Sequence, residues 1–129
     1  MPVASAIKTL IVDDQQTMRS LIRTSLHALG INQTREAPDG EEALRAMLSL
    51  PVNLVITDFN MPKLDGLQLL KAIRAFPATK KVPFFILTGR GDRELVQKAA
   101  GLGANNFLIK PLTAPVLLKT LETVLGKLQ

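Results

Sequence analysis

The sequence predicts an α/β protein built on a parallel sheet with helices on both faces. Three observations lead there. Short apolar, β-branched segments recur along the 129 residues, each followed by apolar residues at helical spacing. Alternation of this kind winds right-handed into a parallel sheet. The segment Leu54-Val55-Ile56-Thr57 is apolar or β-branched throughout, as a strand buried on both faces must be. It stops at a carboxylate, Asp58, and Pro62 prevents the strand from resuming. The carboxyl edge of such a sheet is where ligands bind.

The elements follow in order. Lys8 to Val12 reads as a short strand ending at Asp13-Asp14. Met18, Leu21, Ile22, Ser25 and Leu29 then fall on one face of a helix, and Gly30 stops it. Asn32 to Ala37 is a polar strand, which places it at an edge. Pro38-Asp39-Gly40 is a turn in which Asp39 caps the next helix. That helix buries Ala43, Leu44, Met47 and Leu48 and ends before Pro51. After the central strand, Leu64-Asp65-Gly66 opens a third helix carrying Leu67, Leu70 and Ile73. Phe84 to Leu87 forms a buried strand ending at Thr88, and Gly89-Arg90-Gly91 turns the chain. Asp92 caps a fourth helix with Leu95, Val96, Ala99 and Leu102. Asn106 to Ile109 is the last strand, ending at Lys110-Pro111. The final helix packs Leu117, Leu121, Val124 and Leu128.

Composition narrows the function classes. A chain of this length fits one domain, and a 47% hydrophobic content argues for a packed core. The chain has no cysteine, so disulfide and thiolate chemistry are excluded. No apolar run approaches the roughly 20 residues of a membrane span. Met1 to Ala6 lacks the pattern of a secretory signal, so a cytoplasmic location and no membrane partner are expected. The net charge is +5, without a long Lys/Arg run and without tyrosine or tryptophan for base stacking. That favours an acidic protein partner over nucleic acid.

Four of the five predicted strands end in a functional group: Asp13 and Asp14, Asp58, Thr88, and Lys110. Each has a plain structural alternative as a cap, a turn residue or a surface charge. Their joint placement on one edge favours a site. Three carboxylates close together must be neutralised by protons or by a cation. A hard divalent ion with oxygen ligands answers this, and Mg²⁺ suits few carboxylates beside a phosphate. Lys110 adds a fixed positive charge, and Thr88 a hydroxyl. No Walker-type loop or GxGxxG follows the first strand, which argues against a nucleotide cradle. A carboxylate is the best nucleophile available. His27, late in the first helix, is assigned no role.

Asp13-Asp14, Asp58, Thr88 and Lys110-Pro111, each at a strand end, resemble the receiver domain of two-component response regulators, in particular its single-domain, CheY-like members. The resemblance covers about Lys8 to Leu128. It implies a doubly wound, three-layer, flavodoxin-like fold with five helices and strand order 2-1-3-4-5. It implies residues 1–7 as an N-terminal extension and 8–129 as one receiver domain. By the same resemblance Asp58 accepts a phosphoryl group from a phosphohistidine on a histidine kinase or phosphotransfer protein. Asp14, Asp58 and the backbone carbonyl of Asn60 would ligate Mg²⁺, with Asp13 acting mainly through water. Lys110 and Thr88 would hold phosphoryl oxygens, and the Lys110-Pro111 bond would be cis. Phe107 matches the switch position, and the fourth helix, last strand and last helix would present the changed surface to a target. From residue type alone, Phe107 reads equally as core packing beside Ile109. Arg90 and Asn60 occupy positions that vary in the family and influence phosphoryl lifetime. Arg19 and Arg23 lie on the helix that usually docks the phosphodonor, or are solvated helix charges.

The resemblance implies a switch with at most self-phosphorylation and self-dephosphorylation, not a turnover enzyme. Alternatives are a phosphoryl shuttle or sink, a constitutive adaptor, and an aspartate-nucleophile phosphohydrolase. The last needs a second carboxylate as general acid where this chain has Asn60.

Overall fold

The computed structural model describes residues 3–50, 52–89, 93–110 and 112–129. The expectations for Pro51, Arg90, Gly91, Asp92 and the Lys110-Pro111 bond involve positions outside the described residues. The elements run β1 (Lys8–Val12), α1 (Gln16–Ala28), β2 (Gln33–Ala37), α2 (Gly40–Ser49), β3 (Leu54–Asp58), α3 (Gly66–Ala75), β4 (Phe84–Thr88), α4 (Arg93–Gly101), β5 (Asn106–Ile109) and α5 (Ala114–Leu125). All paired strands are parallel, and their order is β2-β1-β3-β4-β5. This is the expected flavodoxin-like arrangement.

The three layers follow from strand periodicity. Successive side chains point to opposite faces, so each central strand feeds two cores. Ile11, Leu54, Ile56, Phe85 and Leu87 meet Ile22 and Leu26 of α1 and Leu117 and Leu121 of α5. Leu10, Val12, Val55, Phe84 and Ile86 meet α2, α3 and Ala99 of α4. That is why β3 and β4 are buried along their whole length. The polar strand β2 lies at an edge, as its composition requires.

Helix ends follow local chemistry. Asp39 accepts the Glu42 N–H at 2.8 Å, the expected cap. Asp65 and Gln68 form a reciprocal capping box at the start of α3. At the end of α1, Gly30 has φ +86°, and the Ile31 N–H donates to the Leu26 carbonyl while the Gly30 N–H donates to that of His27. This is a Schellman stop, and Leu26 and Ile31 join the same core. At Gly40 a Cβ would stand 2.5 Å from both the Cβ and the carbonyl oxygen of Leu64. Glycine there lets α2 approach the loop that follows β3.

Some expected core positions shift. Leu21 is 42% exposed and Leu48 47% exposed, while Leu26 and Leu69 are fully buried. In each helix the buried stripe is centred one residue away, and a step of about 100° carries the neighbour into solvent. Leu102 lies just past the end of α4 and is also exposed. Leu67 is half-buried. The short turn Ala4–Ala6 packs onto the domain: Ala4 and Ile7 are buried, and the Ala4 N–H donates to the Gln129 carbonyl at 2.9 Å. No helix among the described residues is long and apolar enough to cross a membrane.

Candidate functional site

The strand registers bring the predicted groups to one edge. Val12 lies beside Thr57, Asp58 beside Leu87, and Thr88 beside Ile109. Asp13, Asp14, Asp58, Thr88 and Lys110 therefore all emerge at the carboxyl end of the sheet. The Lys110 N–H donates to the Thr88 carbonyl at 2.8 Å, which continues the β4–β5 ladder to the lysine.

Asp13, Asp14 and Asp58 each offer a carboxylate oxygen, and these oxygens lie within 4.8 Å of one another. Asp13 is 1% exposed and Asp58 8%, whereas Asp14 is exposed. The Lys110 Nζ donates to Asp58 Oδ1 at 3.1 Å. Asp13 Oδ1 accepts the Gln15 N–H at 2.9 Å. Its other oxygen, Oδ2, is buried and has no hydrogen-bond partner among the described residues. A buried, unsatisfied carboxylate oxygen beside two more carboxylates is the donor set a hard cation and its waters satisfy. The residues therefore fit magnesium. Asp14, Asp58, Asn60, Thr88 and Lys110 line an open cleft of about 610 Å³, with Leu95 of α4 on its wall.

Two contributors carry no obvious sequence signal. Gly66 opens α3, and its N–H donates to the Phe59 carbonyl at 2.8 Å. A Cβ there would stand 2.9 Å from the Asp58 carbonyl oxygen, so only glycine lets α3 start against the strand end. Arg19 donates from Nη1 to the Asp13 carbonyl at 2.6 Å. It is not a free solvated charge; with Arg23 it pairs with Glu36 of β2. Phe107 is half-buried against the α2–α3–α4 core, beside Ile86. Ile109, expected to pack with it, is 54% exposed. His27 is exposed in the last turn of α1, at the end away from the carboxylates.

Residues 9–122 match the family described as response regulator receiver domain. The chain belongs to this family. A probable chemotaxis protein CheY from Rhizobium etli is 51% identical to it over 129 residues, covering 100% of both chains. Among solved structures, a CheX-CheY-BeF3-Mg complex from Borrelia burgdorferi contains a chain with TM-score 0.86 and 29% identity, covering 94% of this chain and 90% of that one. The receiver domain of a sensor histidine kinase from Pseudomonas aeruginosa, with a magnesium ion coordinated in its active site cleft, gives TM-score 0.84 and 25% identity over 95% and 99%. The protein is a CheY-type receiver of two-component signalling, a signalling module.

Within the receiver's acidic cluster, Asp13 is expected to lower stability when no metal is present. Burial pushes the Asp13 carboxyl from its usual 3.8 up to about 6. The Asp58 and Asp14 charges add to this, against the Gln15 N–H and the Lys110 ammonium. The sign of the effect on stability follows from proton counting. Between about pH 4 and 6 the folded chain holds a proton on Asp13 that the unfolded chain has lost. Asp13 therefore lowers stability progressively as pH rises through that window. Asp13→Asn is expected to raise the melting temperature in EDTA near pH 7 and to do little near pH 4. Differential scanning calorimetry at both pH values checks this; an equal gain at both would refute the titration assignment.

Proposed function

We propose that Asp58 is the phosphoacceptor, taking a phosphoryl group from a phosphohistidine on a histidine kinase or phosphotransfer protein. The observation that carries this reading is the Lys110 ammonium 3.1 Å from Asp58 Oδ1, in a cleft that also gathers Asp13 and Asp14. A carboxylate oxygen of Asp58 forms the new P–O bond as the donor's P–N bond breaks. The donor imidazole leaves with the electron pair. Charge spreads over the phosphoryl oxygens in the transition state, so fixed positive charge at that place is what lowers the barrier. Lys110 supplies one such charge, and its backbone tie to Thr88 keeps both residues at the same edge. Thr88 offers its hydroxyl to a phosphoryl oxygen.

Asp14, Asp58 and the Asn60 carbonyl would hold Mg²⁺, with Asp13 Oδ2 reaching it through water. When bound, the ion supplies the countercharge that lets three carboxylates and a phosphoryl group share one cleft. The solved relatives described with magnesium support this reading by analogy. The output is a change in the α4–β5–α5 surface, biased by Thr88 and Phe107, that alters binding of a target protein. The receiver unit runs from Lys8 to Gln129, with Ala4 to Ile7 packed against it.

Acetyl phosphate is a small donor that tests the reading without a partner. Incubated with it and Mg²⁺, the protein is expected to form a single base-labile, acid-stable adduct, seen as a shifted band in Phos-tag electrophoresis. EDTA should abolish the adduct. Rapid multiple turnover of small phosphomonoesters would instead favour a phosphohydrolase.

A further inference from the structure

We propose that Arg19, braced by Glu36, is a positioning residue for the metal site: it fixes the peptide joining Asp13 to Asp14. Its guanidinium spans two elements. Nη1 donates to the Asp13 carbonyl at 2.6 Å, and Nε donates to Glu36 Oε1 at 3.0 Å. Glu36 is itself braced, because its second oxygen accepts from Arg23 Nη1. Glu36 stands on β2 beside Ile11 of β1, so the brace is anchored in the sheet ladder. The Arg19 side chain is 15% exposed, too enclosed to be a solvated charge.

The carbonyl it holds is the first one past β1. There the ladder ends: the Asp13 N–H still donates to the Ala37 carbonyl at 3.1 Å, but the next peptide turns toward α1. That peptide sets where the Asp14 side chain starts and how Asp13 is turned. Gln15 holds the Asp13 side chain by one oxygen. Arg19 holds the backbone. The remaining atom, Oδ2, is left buried with no hydrogen-bond partner among the described residues. A planar guanidinium with a fixed fork of donors suits this double grip, whereas a single ammonium does not. Residues that orient metal ligands commonly govern affinity by about 10–100-fold.

This inference rests on the reading of the three carboxylates as the Mg²⁺ site. The test is Mg²⁺ affinity from amide NMR titration of the unphosphorylated protein, with melting temperature in EDTA as the fold control. Arg19→Gln is expected to weaken Mg²⁺ binding about ten-fold. Glu36→Gln leaves the arginine charge in place and should weaken binding by a smaller factor. The double variant should bind no worse than Arg19→Gln alone, because the two residues act as one unit. Arg19→Lys, which keeps the charge but not the fork, should remain weak. Wild-type affinity in Arg19→Gln or Glu36→Gln, or full recovery in Arg19→Lys, overturns the proposal. Absence of Mg²⁺ binding by the wild type defeats the magnesium reading and this inference with it. Wild-type binding with unchanged variants defeats this inference alone.

Discussion

Asp58→Asn is expected to abolish the acetyl phosphate adduct and transfer from any phosphohistidine donor. The substitution keeps the shape of the side chain but replaces an anionic oxygen nucleophile with a neutral amide. It also removes one of the three negative charges that gather within 4.8 Å. Two further consequences follow. Mg²⁺ binding is expected to weaken, because one of the proposed hard ligands is gone. The metal-free protein becomes more stable near neutral pH, because Asp58 is one of the charges that raise the Asp13 pKa. The three readouts are Phos-tag electrophoresis, amide NMR titration and thermal melting in EDTA. A folded Asp58→Asn protein that still forms a base-labile adduct would place the nucleophile elsewhere. Loss of the adduct together with loss of the native spectrum would not count, so the melting curve belongs to the same experiment.

The site was legible in the sequence because its parts sit at strand ends. A strand end is a local feature: the apolar run stops, and the next residue is Asp, Thr or Lys. Parallel winding then carries all such ends to one edge, without further information. A separate signal, its polar composition, placed β2 at the sheet edge. What the sequence hid are contacts made by long side chains to distant backbone. Arg19 reaches the Asp13 carbonyl, and nothing in its neighbourhood distinguishes it from a helix-surface arginine. Gly66 resembled a helix-opening glycine, yet its decisive contact is with the Asp58 carbonyl eight positions back. The displaced burial of Leu21 and Leu48 has a different origin. Leucine beside a buried stripe looks the same in sequence as leucine within it, and only packing fixes the rotation of the helix.

The largest effect on stability among the hidden contacts is expected at Arg74, near the end of α3. Its guanidinium donates to the Val82 carbonyl at 2.7 Å, to the Gly103 carbonyl at 2.7 and 3.2 Å, and to Asn105 Oδ1 at 3.1 Å. Asn105 Oδ1 in turn accepts the Phe84 N–H at 2.7 Å, and the Asn105 N–H donates to the Phe84 carbonyl. One side chain thus ties α3, the approach to β4 and the loop entering β5. Its partners lie up to 31 positions away, so no local pattern announces it. Burial lowers the Arg74 pKa from the ordinary guanidinium range, which marks a charge held among protein groups and not in bulk water. Each charge-assisted bond is worth about 1.5–3 kcal/mol, but the bonds share one side chain and do not add. Arg74→Ala is therefore expected to cost about 3 kcal/mol in urea unfolding, a large part of a domain's stability of roughly 5–15 kcal/mol. Arg74→Lys should recover little, since an ammonium's donors all radiate from one atom and cannot span acceptors now met by three separate nitrogens. Hydrogen exchange should quicken most at Gly103 to Asn105 and at Phe84. A loss below about 1 kcal/mol, in the range of an exposed ion pair, would show that water replaces the guanidinium at little cost.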